Sequence, residues 1–183
     1  MRKVFRFCPF CGGKLGRKKL GGRGRRYCAA CGFVDYENAR PTAAAVIVNE
    51  QGEVLLARRA GEPFKGEWNL PGGFIEGNEH PAAGVVRELK EETGAEIELI
   101  EQIGIYLDSY NDPQQGFFYT INIPYAARIK RGALQARDDT SELKWFPLGR
   151  LPKIAFECDR RAVVDWRRKL GGRSRAAKAG KCK

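Results

Sequence analysis

Residues 72–95 read GGFIEGNEHPAAGVVRELKEETGA, and the spacing of their charges decides how the rest of the chain is understood. Taken as a helix, intervals of three and four residues put Glu88, Glu91 and Glu92 on one side of it. Three like charges that close repel, so the face is stable only beside a cation, and hard carboxylate oxygens point to Mg²⁺ or Mn²⁺. Val85, Val86 and Leu89 are expected on the opposite side, packed on a core. Asn78 is the expected cap, Pro81 fits a first helical turn, and Gly94 ends the run. Pro71-Gly72-Gly73, ahead of the helix, makes a tight turn without side chains, where a metal-bound phosphate can approach the backbone.

The net charge of +11 is divided unevenly along the 183 residues. Residues 1–40 carry net +9, residues 41–158 net −6 and residues 159–183 net +8. An acidic centre between basic ends suits a metal-binding core that draws in an anionic substrate or partner. No apolar run approaches the ~20 residues of a membrane span, and MRKVFRF leads into cysteines rather than a leader's apolar core, so a soluble, cytoplasmic protein with no membrane partner is expected.

Cys8-Pro9-Phe10-Cys11 and Cys28-Ala29-Ala30-Cys31 form two CxxC knuckles, each followed by glycine. Four thiolates at this spacing suit a closed, structural Zn²⁺ site, the alternative being a redox or disulfide pair. The pattern looks like a zinc ribbon over residues 1–40. Residues 14–26, KLGRKKLGGRGRR, lie between the knuckles. They either grip nucleic acid or nucleotide phosphates, with Phe5, Phe7, Phe10 and Tyr27 for stacking, or form a solvated loop with those aromatics as the ribbon's small core.

From Arg40-Pro41 onward, TAAAVIVNEQGEVLLARRA reads as two strands, the second ending at Arg58 and Arg59, which either meet substrate phosphates or lie at the surface. Trp68 and Leu70 read as core. Ile97, Leu99, Ile103, Ile105 and Leu107 alternate, as do Phe117, Tyr119, Ile121 and Ile123, which predicts two further strands. Asp138, Asp139 and Glu142 offer an additional carboxylate, with nothing in the spacing to select one. Cys158 and Asp159 open an expected last helix, and residues 171–183 read as a basic, disordered tail. Cys158 reads as a packed thiol, Cys182 as an exposed one and His80 as a surface residue.

The opening stretch resembles the Nudix box, G-x5-E-x7-R-E-U-x-E-E-x-G-U with U bulky and aliphatic. Gly73, Glu79, Arg87, Glu88, Leu89, Glu91, Glu92 and Gly94 match it, and Ala95 alone departs. Seven fixed letters coincide by chance on the order of 10⁻⁸ per starting position. The resemblance covers residues 41–170 and implies an α/β fold, a Nudix α/β/α sandwich with a mixed sheet, here preceded by the small zinc ribbon. It implies divalent-metal hydrolysis of a nucleoside diphosphate linked to another moiety. Glu88, Glu91 and Glu92 with the Gly72 carbonyl would hold Mg²⁺ or Mn²⁺, and Glu88 or Glu92 would be the base. Arg87 would orient the carboxylates, and Glu79 would support the loop or bind metal through water.

The variable loop is implied to shape the substrate pocket, making Tyr106, Tyr110, Asp112 and Phe118 candidates, with Arg58, Arg59 and Gly73 toward the phosphates. Ribbon plus box resembles the NADH pyrophosphatase type, which also trims NAD caps from RNA. Those enzymes carry Ser-Gln-Pro-Trp-Pro-Phe-Pro after the box, where this chain has EIELIEQIGIYLDSYNDPQQG, so ADP-ribose and then FAD are expected ahead of NADH. The rival readings are a cap-removing enzyme holding RNA through the basic ends and a nucleotide-sensing nucleic-acid-binding module without turnover. Dimers are common in the family, so a homodimer is expected.

Overall fold

The computed structural model describes residues 5–179, with side chains through residue 172. Its first unit is a three-stranded sheet: β1 (Gly16–Leu20) and β2 (Arg23–Tyr27) form an antiparallel hairpin, and β3 (Val34–Asp35) pairs with β2. Gly21 and Gly22 both have positive φ, 55° and 78°, which the two-residue turn between twisted strands demands. The basic stretch expected as a loop tip is therefore a β-hairpin.

The remaining elements are β4 (Arg40–Ile47), β5 (Glu53–Arg59), β6 (Trp68–Asn69), β7 (Gly72–Phe74), α1 (Pro81–Thr93), β8 (Glu96–Gln102), β9 (Tyr106–Asp112), β10 (Gly116–Arg131), β11 (Thr140–Pro147) and α2 (Glu157–Ala179). The main sheet runs β7-β4-β10-β8, with β9 also on β10, and β11-β5-β6 form a second sheet. β4 and β10 are parallel and their other pairings antiparallel, so the sheet is mixed.

Alternation along β4 explains the layering. Ala43, Ala45 and Ile47 pack with Val85 and Leu89 of α1, whereas Ala44 and Val46 pack with Ala162, Val163 and Trp166 of α2. A central strand covered by a helix on each face reads as a continuous apolar run, and its small residues let both helices approach. This is the expected α/β/α sandwich. Val86, expected in the core, is exposed, and buried Gly84 takes its place on the packed side of α1.

The strands after α1 depart from expectation in number. The alternating run over 97–107 is broken at Ile103-Gly104-Ile105 into β8 and β9, giving three strands. On the β9–β10 hairpin the odd-numbered apolar residues Leu107, Tyr119 and Ile121 face outward, while Tyr106, Phe118, Thr120 and Asn122 are buried. α2 continues to Ala179, so the first nine residues of the expected disordered tail are helical backbone; Cys182 lies outside the described residues. No helix among the described residues is long and apolar enough to cross a membrane.

Candidate active site

The β7–α1 turn fixes the acidic cluster. Gly72 has φ 142°, and a Cβ there would lie 2.3 Å from the Ala43 carbonyl oxygen, so only glycine lets β7 pair so closely with β4. A Cβ at Gly73 would lie 2.6 Å from the Glu88 carboxyl carbon. The helix cap is His80, not Asn78: its Nδ1 accepts from the Ala82 amide at 3.2 Å, and Pro81 follows as the first helical residue. Gly94 closes α1 in the left-handed region, its amide donating to the Lys90 carbonyl.

Arg87 sits among the carboxylates. Its Nε and Nη2 donate to the two Glu79 oxygens at 2.9 Å each, and its Nη1 to Glu88 at 2.8 Å and Glu91 at 3.0 Å. Nη2 also donates to the Phe74 carbonyl, which ties the helix to the turn. Hydrogen bonding from Arg87 holds Glu79 below the usual carboxylate range, and the Glu76 amide, donating to Glu79 at 3.3 Å, anchors the loop.

The three helix glutamates are not equivalent. Glu92 is buried, accepts from the Gly72 amide at 2.9 Å and is held well above the usual range by burial, with Asp139 adding repulsion. Glu88 is raised by burial, with Arg87 opposing. Glu91 is turned out to solvent and held by Arg87. Asp139 bears on both Glu88 and Glu92, so among the three acidic candidates after the box it is the one beside the cluster; Glu142 instead pairs with Arg58 on the surface. Buried Glu92, held between a backbone amide and two repelling carboxylates, fits a divalent cation. Gly72 meets this cluster through its amide.

The turn opens into a cavity of about 150 Å³ lined by Gly72, Gly73, Asp139 and Arg59 at one end. Tyr110 and Phe156 form a wall, their rings 5.2 Å apart, and Phe118 stacks edge-on against Tyr110 at 4.7 Å. Arg59 lies over Phe156 and donates to the Pro63 carbonyl at 2.6 Å. Arg58, its neighbour on β5, points the other way toward Trp68 and Glu142, outside the cavity. Tyr106 does not line the cavity either; its hydroxyl donates to Asp165 at 2.9 Å and ties β9 to α2.

The cavity floor was not legible as a site in the sequence. Asp159, at the start of α2, accepts from the Leu70 amide at 3.1 Å and from Asn122 Nδ2 at 2.9 Å, and burial pushes its carboxyl up to about 7. Asn122 Oδ1 is buried without a hydrogen-bond partner. Cys158 is buried beside them, its thiol raised by burial, and its amide donates to Asp108. The available signal was the even-numbered face of β10, which is polar at Thr120 and Asn122 yet buried.

In the ribbon, the Sγ atoms of Cys8, Cys11, Cys28 and Cys31 all lie within 4.8 Å of one another, a group able to hold a metal ion. Matching turns present them: the Gly12 and Gly32 amides donate to the Cys8 and Cys28 carbonyls, with φ 71° and 79°. The Cys31 backbone brings the Cys28 thiol down to about 7, whereas the neighbouring thiols push Cys31 up to about 12, so the four compete for negative charge that a zinc ion would relieve. Phe5, Phe7 and Phe10 are 58%, 61% and 80% exposed, so they do not form the expected aromatic core; Cys8 and Cys28 are the ribbon's buried apolar side chains among the described residues.

Residues 38–166 match the family model described as NUDIX domain, and the chain belongs to that family of pyrophosphohydrolases. It is 36% identical over 126 residues to an ADP-ribose pyrophosphatase of Methanocaldococcus jannaschii, covering 69% of this chain and 72% of that protein. It is 31% identical over 150 residues to a NAD-capped RNA hydrolase of Pseudomonas aeruginosa, covering 81% of this chain but 50% of that protein. A solved Nudix hydrolase from Nitrosomonas europaea superposes with TM-score 0.71 at 26% identity, over 87% of this chain and 88% of that one.

Proposed function

We propose that the chain hydrolyses the pyrophosphate bond of a nucleoside diphosphate linked to a second moiety, with ADP-ribose the favoured substrate and FAD next, releasing a mononucleotide and a phosphorylated product. The observation that carries this reading is the continuity of the Glu88, Glu92 and Asp139 cluster with the cavity holding Arg59, across a turn free of side chains. Similarity to an ADP-ribose pyrophosphatase supports the substrate class. The similarity to a NAD-capped RNA hydrolase, together with the basic ribbon, favours a second reading in which the linked moiety is the 5′ end of an RNA.

Glu88 and Glu92 would hold Mg²⁺ or Mn²⁺, with the negative charge of Asp139 beside them, and Glu91, paired with Arg87 on the same helix, would be the further ligand. When bound there, a divalent cation would supply Lewis-acid chemistry, the activation of water and the neutralisation of phosphate charge. Arg87 positions the carboxylates from behind, and Glu79 braces Arg87 and the loop. Arg59 receives the diphosphate, and Gly73 leaves room for it beside Glu88. Both candidate bases already accept a hydrogen bond, Glu88 from Arg87 and Glu92 from the Gly72 amide, and Glu88 is the better placed to take a proton from water because it is only partly buried whereas Glu92 is sealed.

The Tyr110 and Phe156 wall offers a base its flat surfaces, and Asn122, whose buried Oδ1 lacks a partner, lines the same cavity and would accept from an exocyclic amine once that oxygen turns to meet it, which favours adenine. The test compares mononucleotide release from ADP-ribose and from its hypoxanthine counterpart, which carries oxygen in place of that amine. We expect kcat/KM at least about tenfold lower for the counterpart, since an unmet buried acceptor then faces a second acceptor. Equal values would remove the adenine assignment while leaving the hydrolysis intact.

A further inference from the structure

The zinc-ribbon hairpin carries charge that the hydrolytic site does not use. Residues 14–34 contain no aspartate or glutamate, yet hold Lys14, Arg17, Lys18, Lys19, Arg23, Arg25 and Arg26. The β1–β2 register sets Lys18 directly opposite Arg25 and Arg17 opposite Arg26. Side chains opposed in this way have Cβ atoms roughly 5 Å apart, and like charges there destabilise the pair. Among the described residues, Arg17, Lys18, Lys19 and Arg23 make no ion pair. A sheet built on opposed cations is relieved by an anion that spans several of them.

Period-two alternation gathers Lys18, Arg23 and Arg25 on one face of the hairpin with Tyr27. That face borders a groove of about 340 Å³, lined by Arg23, Arg25, Tyr36 and Glu37 on the ribbon side and by Leu107 and Tyr119 from the outer face of β9–β10. Its aromatic rings are open: Tyr36 is 57% and Tyr119 42% exposed. Arg25 lies over Tyr36 at 4.7 Å and Lys18 over Tyr27 at 4.8 Å, so cations and ring faces alternate across the surface. Leu107 and Tyr119 belong to the alternating runs that predict strands, and the structure leaves them outside, beside the cations.

We propose that this groove binds a single-stranded polynucleotide, its phosphates on Arg23 and Arg25 and continuing along the same hairpin face to Lys18, its bases stacked on Tyr36 and Tyr119. Repeated charge selects a polyanion over a single nucleotide, and exposed ring faces select unpaired bases over a duplex. Tyr119 and Phe118 are consecutive on β10, one facing the groove and the other stacking on the cavity's Tyr110, so a strand in the groove lies one sheet thickness from the hydrolytic cavity. The binding holds whether or not the strand is cleaved.

The test is fluorescence anisotropy with the full, zinc-loaded chain and a labelled twelve-nucleotide oligouridylate, its deoxy counterpart and a duplex of equal length, without Mg²⁺ or Mn²⁺, across a salt series. We expect saturable binding of the single strands, weaker binding of the duplex and a steep salt dependence. In Arg23→Gln/Arg25→Gln, affinity falls at least tenfold and the slope of log K against log salt shrinks by about 1.4, at ~0.7 per phosphate for single strands. Tyr119→Ala weakens binding about tenfold through lost stacking. Zinc content and hydrolysis of free ADP-ribose stay unchanged in both variants, which separates this claim from the proposed turnover. A preference for the ribo- or deoxy-strand supports the site and names the polymer. No saturable binding at 50 mM salt, equal affinity for the duplex, or an unchanged slope in the double variant overturns it.

Discussion

Asp159 shows what a single buried carboxyl does to the molecule. Its pKa rises from 3.8 to about 7, with burial the leading cause and Asp108 adding repulsion, against hydrogen bonds from Leu70, Cys158 and Asn122. Between those values the folded chain keeps a proton the unfolded chain has released, so stability falls as pH rises across that window, by on the order of 4 kcal/mol. Asp159→Asn removes this contribution. Denaturant unfolding of both proteins at pH 4 and pH 8 should show the wild type losing several kcal/mol more than the variant; equal losses would mean that Asp159 stays ionised. Glu88 and Glu92 are present in both proteins and drop out of the difference. The sequence marked Asp159 as the start of a helix and nothing more, because a short acidic side chain at a helix N-terminus is ordinary. What makes it unusual is β10 and Leu70 closing over it, a tertiary fact with no local signature.

At the scale of elements, the turn and helix over 72–95 were almost wholly legible. The glycines lie at the turn and the helix end, and Arg87 gathers Glu79, Glu88 and Glu91 beside it. The cap was misread because Asn78 is the better capping residue by type, whereas Pro81 fixes the first turn and leaves His80 as the residue before it. Gly73→Ala tests the fit between turn and helix. The added methyl would sit 2.6 Å from the Glu88 carboxyl carbon and push that side chain aside. We expect turnover to fall more than about tenfold with Tm changed by only a few degrees, since the displaced group is the far end of a side chain. Undiminished turnover would place Glu88 outside the chemistry. The inner face of the β9–β10 hairpin was not legible, because alternation gives the period of a strand, not which face is buried. Its polar face at Thr120 and Asn122 is the inner one, because a cavity lies against it.

The molecule as a whole joins an acidic hydrolytic sandwich to a basic ribbon, a division written into the charge distribution. The ribbon buries Cys8 and Cys28 but none of Phe5, Phe7 or Phe10, so its stability rests on whatever ion its four thiols hold. Removing zinc with a chelator should therefore unfold the ribbon, seen as loss of its dispersed amide resonances, while the sandwich keeps its own. Persistence of the ribbon signals without metal would contradict this. The four-cysteine cluster and the family were readable from spacing alone, since metal and phosphate chemistry demand fixed residues at fixed intervals. Substrate identity was not, because the cavity is assembled from β4, β5, β10 and α2, which are distant in sequence. The most direct measurement is chromatographic detection of AMP released from ADP-ribose with Mg²⁺ or Mn²⁺, by the wild type and by Glu91→Gln, whose exposed side chain can change without disturbing the fold. We predict metal-dependent release by the wild type and a loss beyond the ~10–100-fold typical of a merely supporting residue in the variant. A folded wild type that releases no AMP, or a Glu91→Gln enzyme that remains active and metal-responsive, would contradict the account.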